Sequence, residues 1–374
     1  MLNVYSSSYR EARKLFRETA SRLGAILEQH PVAAGREADL TIDVAVLGDA
    51  EPKWSLVVSS GLHGIEGFVG SAVQIAFLQA INLNDLVAER GQIVAIHALN
   101  PFGFHHFRRA NEDNVDLNRN FLLDDELYEG TSEGYVRLGG LINPASAPGI
   151  MDHYGIAVLW HIWRSGLPAL REAVAGGQYD FPKGLFFGGH RPTQGHLIVK
   201  ANILRWVTAR HVVHFDLHSG LGVYAMAKLI VAGRFGVKHA KLYHDNFIVP
   251  IEVVMDDRRP VEADGIDGAE RAAYKTRGNM GRWLHALAND RDYHFLVLEL
   301  GTYSPIRLLK ALRNENRTHF HAPENSPARK RAKDELLECF CPGSPSWREC
   351  TLEQGTGILN RAQRGAARLA SGEG

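Results

Sequence analysis

Four runs along the chain, SLVVSS (55–60), GQIVAIHALN (91–100), HVVHFDLHS (211–219) and HFLVLELG (294–301), carry apolar side chains at consecutive rather than alternate positions. Strands of that kind have no face for water and must lie in a sheet covered on both sides. FVGSAVQIAFLQAI (68–81) has helical spacing, and strands alternating with helices predict an α/β fold, with a mostly parallel or mixed central β-sheet flanked by helices. TIDVAVLG (41–48) alternates like a half-buried strand, and residues 7–29 place apolar side chains at helical spacing behind a capping serine. The polar stretch 256–279, broken by Gly and Pro, reads as a flap over a site. From about Arg317 the composition turns to His, Pro, Ser and basic residues. The expected organisation is one domain over residues 1–320 and a peripheral extension over 321–374, with no internal repeat.

Lys and Arg together number 42, as do Asp and Glu. A chain so balanced has no basic surplus for nucleic acid or an anionic membrane surface, so neither is an expected partner. No window approaches the roughly 18 apolar residues of a membrane span, and charges fall where a signal peptide would be apolar, which gives a cytoplasmic expectation. The three cysteines, Cys339, Cys341 and Cys350, all fall late in the chain. They supply no disulfide framework, and without a fourth ligand nearby they read as part of a surface tail rather than a metal corner. With 18 histidines, imidazole is the most available metal ligand and acid/base group. The absence of P-loop and G-x-G-x-x-G patterns argues against nucleotide chemistry.

In open α/β sheets, sites form beyond the carboxyl ends of the strands. After SLVVSS comes Gly61-Leu62-His63-Gly64-Ile65-Glu66-Gly67, where His63 and Glu66 can face one metal ion. So many histidines make one such pair expected by chance, and His321-x-x-Glu324, beside a proline and preceded by no strand, reads as that coincidence. On HVVHFDLHS, period-2 alternation puts His214, Asp216 and His218 on one side, where they are costly unless paired or ligating. His218, nearest the carboxyl end, is the best third ligand; His214 reads as a hydrogen-bonded core histidine and Asp216 as a supporting carboxylate. Glu299 closes the apolar run HFLVLELG, a setting that raises a carboxyl pKa as a general base requires. Arg108 to Phe121 is polar and aperiodic, and its arginines with interleaved asparagines suit a carboxylate.

The order His-x-x-Glu, Arg…Asp-Leu-Asn-Arg-Asn-Phe, Asp-Leu-His-Ser, Leu-Glu-Leu resembles the zinc metallocarboxypeptidases between about Ser55 and Thr302. The resemblance implies a carboxypeptidase-like fold with His63, Glu66 and His218 as ligands of Zn2+ and Glu299 as general base. Arg109, seven residues before Asp116, would stabilise the oxyanion, while Asn118 and Arg119 would hold a substrate carboxylate. Tyr274 would be the flap tyrosine, at an approximate spacing. Residues 176–196 have no counterpart, and either line the pocket or form a long loop. The implied activity is metallopeptidase hydrolysis of an amide bond next to a free carboxylate, in a small peptide. The aspartoacylase and desuccinylase branch, which acts on N-acyl amino acids, also carries His-Gly-x-Glu, Asp-Leu-Asn-Arg and Asp-Leu-His, and remains an alternative. A metal-free binding module is the alternative from another class.

Overall fold

The computed structural model describes residues 2–33, 39–147, 154–155, 158, 176–232, 243–254, 270–272 and 277–371. Its centre is a nine-stranded mixed sheet in the order β1-β2-β4-β3-β5-β9-β6-β7-β8. The strands are β1 (Ile26–Pro31), β2 (Thr41–Gly48), β3 (Trp54–Ser60), β4 (Gly91–His97), β5 (His211–Gly220), β6 (Ala227–Ala232), β7 (Ile251–Val254), β8 (Glu270–Ala272) and β9 (Asp292–Gly301). The four apolar runs of the sequence are β4, β3, β5 and β9, adjacent and mutually parallel. Antiparallel partners, β2 beside β4 and β6 beside β9, flank that group.

Helices cover both faces of the sheet, as strands without a wet side require. On one face the helices Tyr9–Arg22, Gly67–Ala80 and Pro345–Ser371 enclose a core containing Phe16, Val73, Phe215, Leu298 and Leu359. On the other, Gln194–Trp206 and Met280–Leu287 pack Ile203, Trp206, Trp283 and Leu284 against Val57, Val212 and Phe295. Among the described residues no helix is long and apolar enough to cross a membrane.

Two expectations need correction. The helix expected over residues 7–29 ends at Arg22, because Gly24 takes a left-handed φ of +73° and the chain turns back as β1. The segment from 321 onward is not peripheral. Trp347, Leu352, Leu359, Ala362 and Ala366 are buried, and they form one helical stripe against the sheet and the helix Gly67–Ala80. Composition concealed this stripe, since the exposed faces of the same helix are rich in Arg, Glu and Gln. Trp347 Nε1 donates to Gly301 O (2.9 Å) and Ser219 Oγ to Phe340 O (2.6 Å), so the C-terminal helices grip the ends of β9 and β5. Cys339 and Cys341 are buried in this packing rather than on a surface tail, and all three cysteines are free.

Candidate metal centre

Register places the site. His218 on β5 pairs with Glu299 on β9, and β3 runs parallel to β5 on its other side, so three carboxyl ends open at one edge. His63 follows β3 by three residues and precedes a 3-10 turn, Gly64–Glu66, that leads into the helix Gly67–Ala80. A Cβ on Gly64 would collide with the backbone of Gly103, which is why this turn tolerates only glycine. The amides of Gly64 and Ile65 donate to the carbonyls of Arg109 (3.1 Å) and Arg108 (2.8 Å). The arginine segment is thereby docked on the His63 loop.

His63, Glu66 and His218 are all buried and each offers a ligand atom within 4.8 Å of the others'. They are the one group of three or more His, Cys, Asp or Glu side chains so placed among the described residues. Glu66 lies between the imidazoles, with Oε1 2.9 Å from His63 Nδ1 and Oε2 2.9 Å from His218 Nδ1. The far nitrogens face other carboxylates: His63 Nε2 is 3.2 Å from Asp116 Oδ1, and His218 Nε2 is 2.5 Å from Asp216 Oδ2. Outer carboxylates of this kind hold a ligating imidazole by one nitrogen and leave the other to the metal.

Three carboxylates, those of Glu66, Asp116 and Asp216, line the pocket, and the Arg109 guanidinium reaches Glu66 Oε1 (3.1 Å), Asp116 Oδ2 (3.0 Å) and His63 Nε2 (2.7 Å). Burial would raise the Glu66 pKa, but the facing His63 and His218 outweigh it and hold this carboxyl far below its usual range. Asp116 is depressed in the same way, with Arg109 and His63 overcoming burial. For His218, Asp216 and Glu66 overcome a burial that by itself would lower it, and push it well up. Two nitrogens and a carboxylate converging in buried space are a donor set that could hold a divalent cation such as zinc.

Glu299 stands beside this cluster. Burial raises its pKa to about 7, helped by the charge of Glu66 and opposed by His218, the Leu221 amide and Lys228. Its Oε1 accepts the Leu221 N–H at 2.7 Å. His214 has Ser59 Oγ on Nε2 and Tyr293 OH on Nδ1, both at 2.8 Å, and is a hydrogen-bonded core histidine. His321 and Glu324 are exposed and outside the site.

The remaining predicted residues fall in different places. Asn118 Oδ1 accepts the Met280 amide at 3.1 Å and so anchors the helix Met280–Leu287, leaving its Nδ2 as a donor end. Arg119 is buried, with Nη1 donating to Asn118 O at 2.7 Å. Tyr274 lies outside the described residues, as does most of the flap segment. Residues 176–196 bind the Asp-Leu-Asn-Arg-Asn segment. Phe187 O accepts the Asp116 amide (2.8 Å), Tyr179 OH donates to Arg119 O (2.8 Å), and Asn120 Nδ2 donates to Gly188 O (2.8 Å). Phe186 lies under the Arg109 guanidinium, 5.4 Å from carbon to ring centroid. Asp116 had served only as a spacing marker in the sequence; its contact with His63 depends on the fold, though a buried-loop Asp next to a ligand-rich motif was a usable signal.

Fold and cluster together define an α/β protein with a His/Glu/His centre at the carboxyl edge of a mixed sheet. The chain belongs to the family described as protein of unknown function (DUF2817), whose model matches residues 5–354. No curated protein matches the sequence. Among solved structures, the chain is similar to carboxypeptidase A from Helicoverpa armigera, with 14% identity over 98% of this chain and 74% of that one and a TM-score of 0.46. It is similar also to a metallo-carboxypeptidase from Burkholderia cenocepacia, with 11% identity over 94% of this chain and 68% of that one and a TM-score of 0.45. A succinylglutamate desuccinylase/aspartoacylase from Rhodobacter sphaeroides matches at 12% identity over 84% of this chain and 63% of that one, with a TM-score of 0.37.

Proposed function

We propose that the protein is a zinc-dependent hydrolase of the metallocarboxypeptidase type that cleaves an amide bond next to a free carboxylate. The observation that carries this reading is the convergence of buried His63, Glu66 and His218, with Glu299 in register beside His218. Zinc held by those three residues supplies Lewis acidity and makes water acidic enough to react near neutral pH. Glu299, buried and with one oxygen fixed by the Leu221 amide, takes the proton from the attacking water and returns it to the leaving amine. Arg109 is braced on Asp116 through Nε, and its two Nη groups, already turned toward Glu66 and His63, stabilise the oxyanion of the scissile carbonyl. Asn118 and Arg119 bind the substrate carboxylate, with Tyr274 as a further substrate-binding residue.

The discriminating experiment is to assay zinc-supplemented protein on short peptides with a free C-terminus beside N-acyl amino acids. Release of C-terminal residues from the peptides is the expected result. Hydrolysis of N-acyl amino acids alone would replace the peptidase reading with that of a deacylase. Absence of turnover with zinc in place would leave a binding module.

A further inference from the structure

We infer that Ser59, His214 and Tyr293 are positioning residues for His218, acting through a one-way chain of hydrogen bonds that decides which nitrogen of His218 is offered to a metal. The inference rests on the zinc reading of the site.

The chain crosses three strands. Tyr293 OH on β9 is 2.8 Å from His214 Nδ1 on β5, His214 Nε2 is 2.8 Å from Ser59 Oγ on β3, Ser59 Oγ is 2.6 Å from Asp216 Oδ1, and Asp216 Oδ2 is 2.5 Å from His218 Nε2. All five side chains are buried. No water can repair a mismatched link in such a place, so donors and acceptors must alternate correctly.

One assignment satisfies every link. A carboxylate only accepts, so Asp216 takes the Ser59 hydroxyl hydrogen on Oδ1 and the His218 Nε2 hydrogen on Oδ2. Ser59, with its single hydrogen committed, must accept from His214 Nε2–H. Burial pushes His214 down to about 4, so near neutral pH it carries one ring hydrogen. With that hydrogen on Nε2, Nδ1 is an acceptor and receives the Tyr293 hydroxyl, whose own pKa burial pushes up. The reverse direction would turn the Ser59 hydroxyl toward His214 and set two oxygen lone pairs against each other at 2.6 Å. Every donor therefore points at Asp216. With Nε2 of His218 committed as a donor to Asp216, Nδ1, which donates to Glu66 Oε2 at 2.9 Å while no metal is bound, is the nitrogen whose lone pair a metal would take. Removing Ser59 would strip Asp216 of a donor and free it to turn away from His218.

Two measurements on the full chain test this: zinc affinity by chelator competition, and histidine 15N spectra of the metal-free protein. Ser59→Ala is expected to weaken zinc about tenfold, the lower end of the loss when an outer partner of a ligand is removed. Ser59→Thr, which keeps the hydroxyl, should restore it. In the metal-free spectra His214 should show its hydrogen on Nε2, and Tyr293→Phe should shift its Nδ1 resonance. Wild-type zinc affinity in Ser59→Ala, equal losses in the Ala and Thr variants, or a His214 hydrogen on Nδ1 would each overturn the inference. Failure of the wild type itself to bind zinc would overturn the reading of the site, and the inference with it; the first set of results leaves that reading standing.

Discussion

The two faces of β5 and β9 are built from the same strands and do opposite work. Toward the helices Gly67–Ala80 and Pro345–Ser371 they present Val213, Phe215, Leu217, Leu296, Leu298 and Leu300, all in one apolar core. Toward Gln194–Trp206 and Met280–Leu287 the same strands carry His214, Asp216, His218 and Glu299 between Val212 and Phe295. Burying four titratable side chains is unfavourable even when they are paired, so the polar face takes its position from strands that the other face already holds in place. The difference teaches that stability and chemistry are divided by alternation along a strand, and that each can be broken separately.

The sharpest break is on the polar face. Glu299→Gln should retain zinc and fold yet lose between about 10² and 10⁴ of turnover, the usual contribution of a general base. Steady-state kinetics with metal content measured in parallel checks this, and normal turnover would remove Glu299 from its role. The complementary break is Leu298→Ala on the apolar face, fully buried in the core. It should cost about 2–5 kcal/mol in denaturant unfolding through the cavity it leaves, while zinc stoichiometry under native conditions stays unchanged. Loss of metal binding in a folded Leu298→Ala protein would mean that the faces are not separable.

A smaller effect comes from acid. His97, stacked on Phe16 on the apolar side, and His214 on the polar side are both lowered to about 4 by burial. The folded protein therefore keeps them neutral where the unfolded chain, with an ordinary histidine value near 6.5, would bind protons. Their contribution is fully present above about 6.5 and is lost as pH falls from there through 4, amounting to roughly 2 kcal/mol for each by pH 5. Glu299, raised to about 7, takes up a proton over the same range and works the other way, so the check is a comparison: the metal-free His97→Gln protein should lose less of its urea midpoint between pH 7 and pH 5 than the wild type does. Equal losses would contradict the neutral assignment.

How far all this was legible in the sequence follows from the same division. Continuous apolar runs located β3, β4, β5 and β9, and alternation along β5 separated Val213, Phe215 and Leu217 from the polar trio, because both signals are local. β1 was absorbed into the preceding helix, since Ile26 and Leu27 continue its apolar spacing and only Gly24 marks the turn. The stripe Leu352, Leu359, Ala362, Ala366 was hidden by averaging over a helix whose other faces are polar. Asp116 beside His63 and Ser59 beside Asp216 are contacts made by tertiary structure, with no periodic trace. The motif order brought His63, Glu66, His218 and Glu299 forward as candidates, whereas the outer carboxylates and the hydrogen-bond chain required coordinates.

The central claim is that the polar face is a metal centre, and the metal content of purified protein tests it most directly. After expression with zinc, elemental analysis should find about one equivalent per wild-type chain. His218→Ala should lose it, whereas Glu324→Gln, in the exposed His-x-x-Glu pair, should keep it. Less than about a tenth of an equivalent in the wild type, or full retention in His218→Ala, would contradict the assignment.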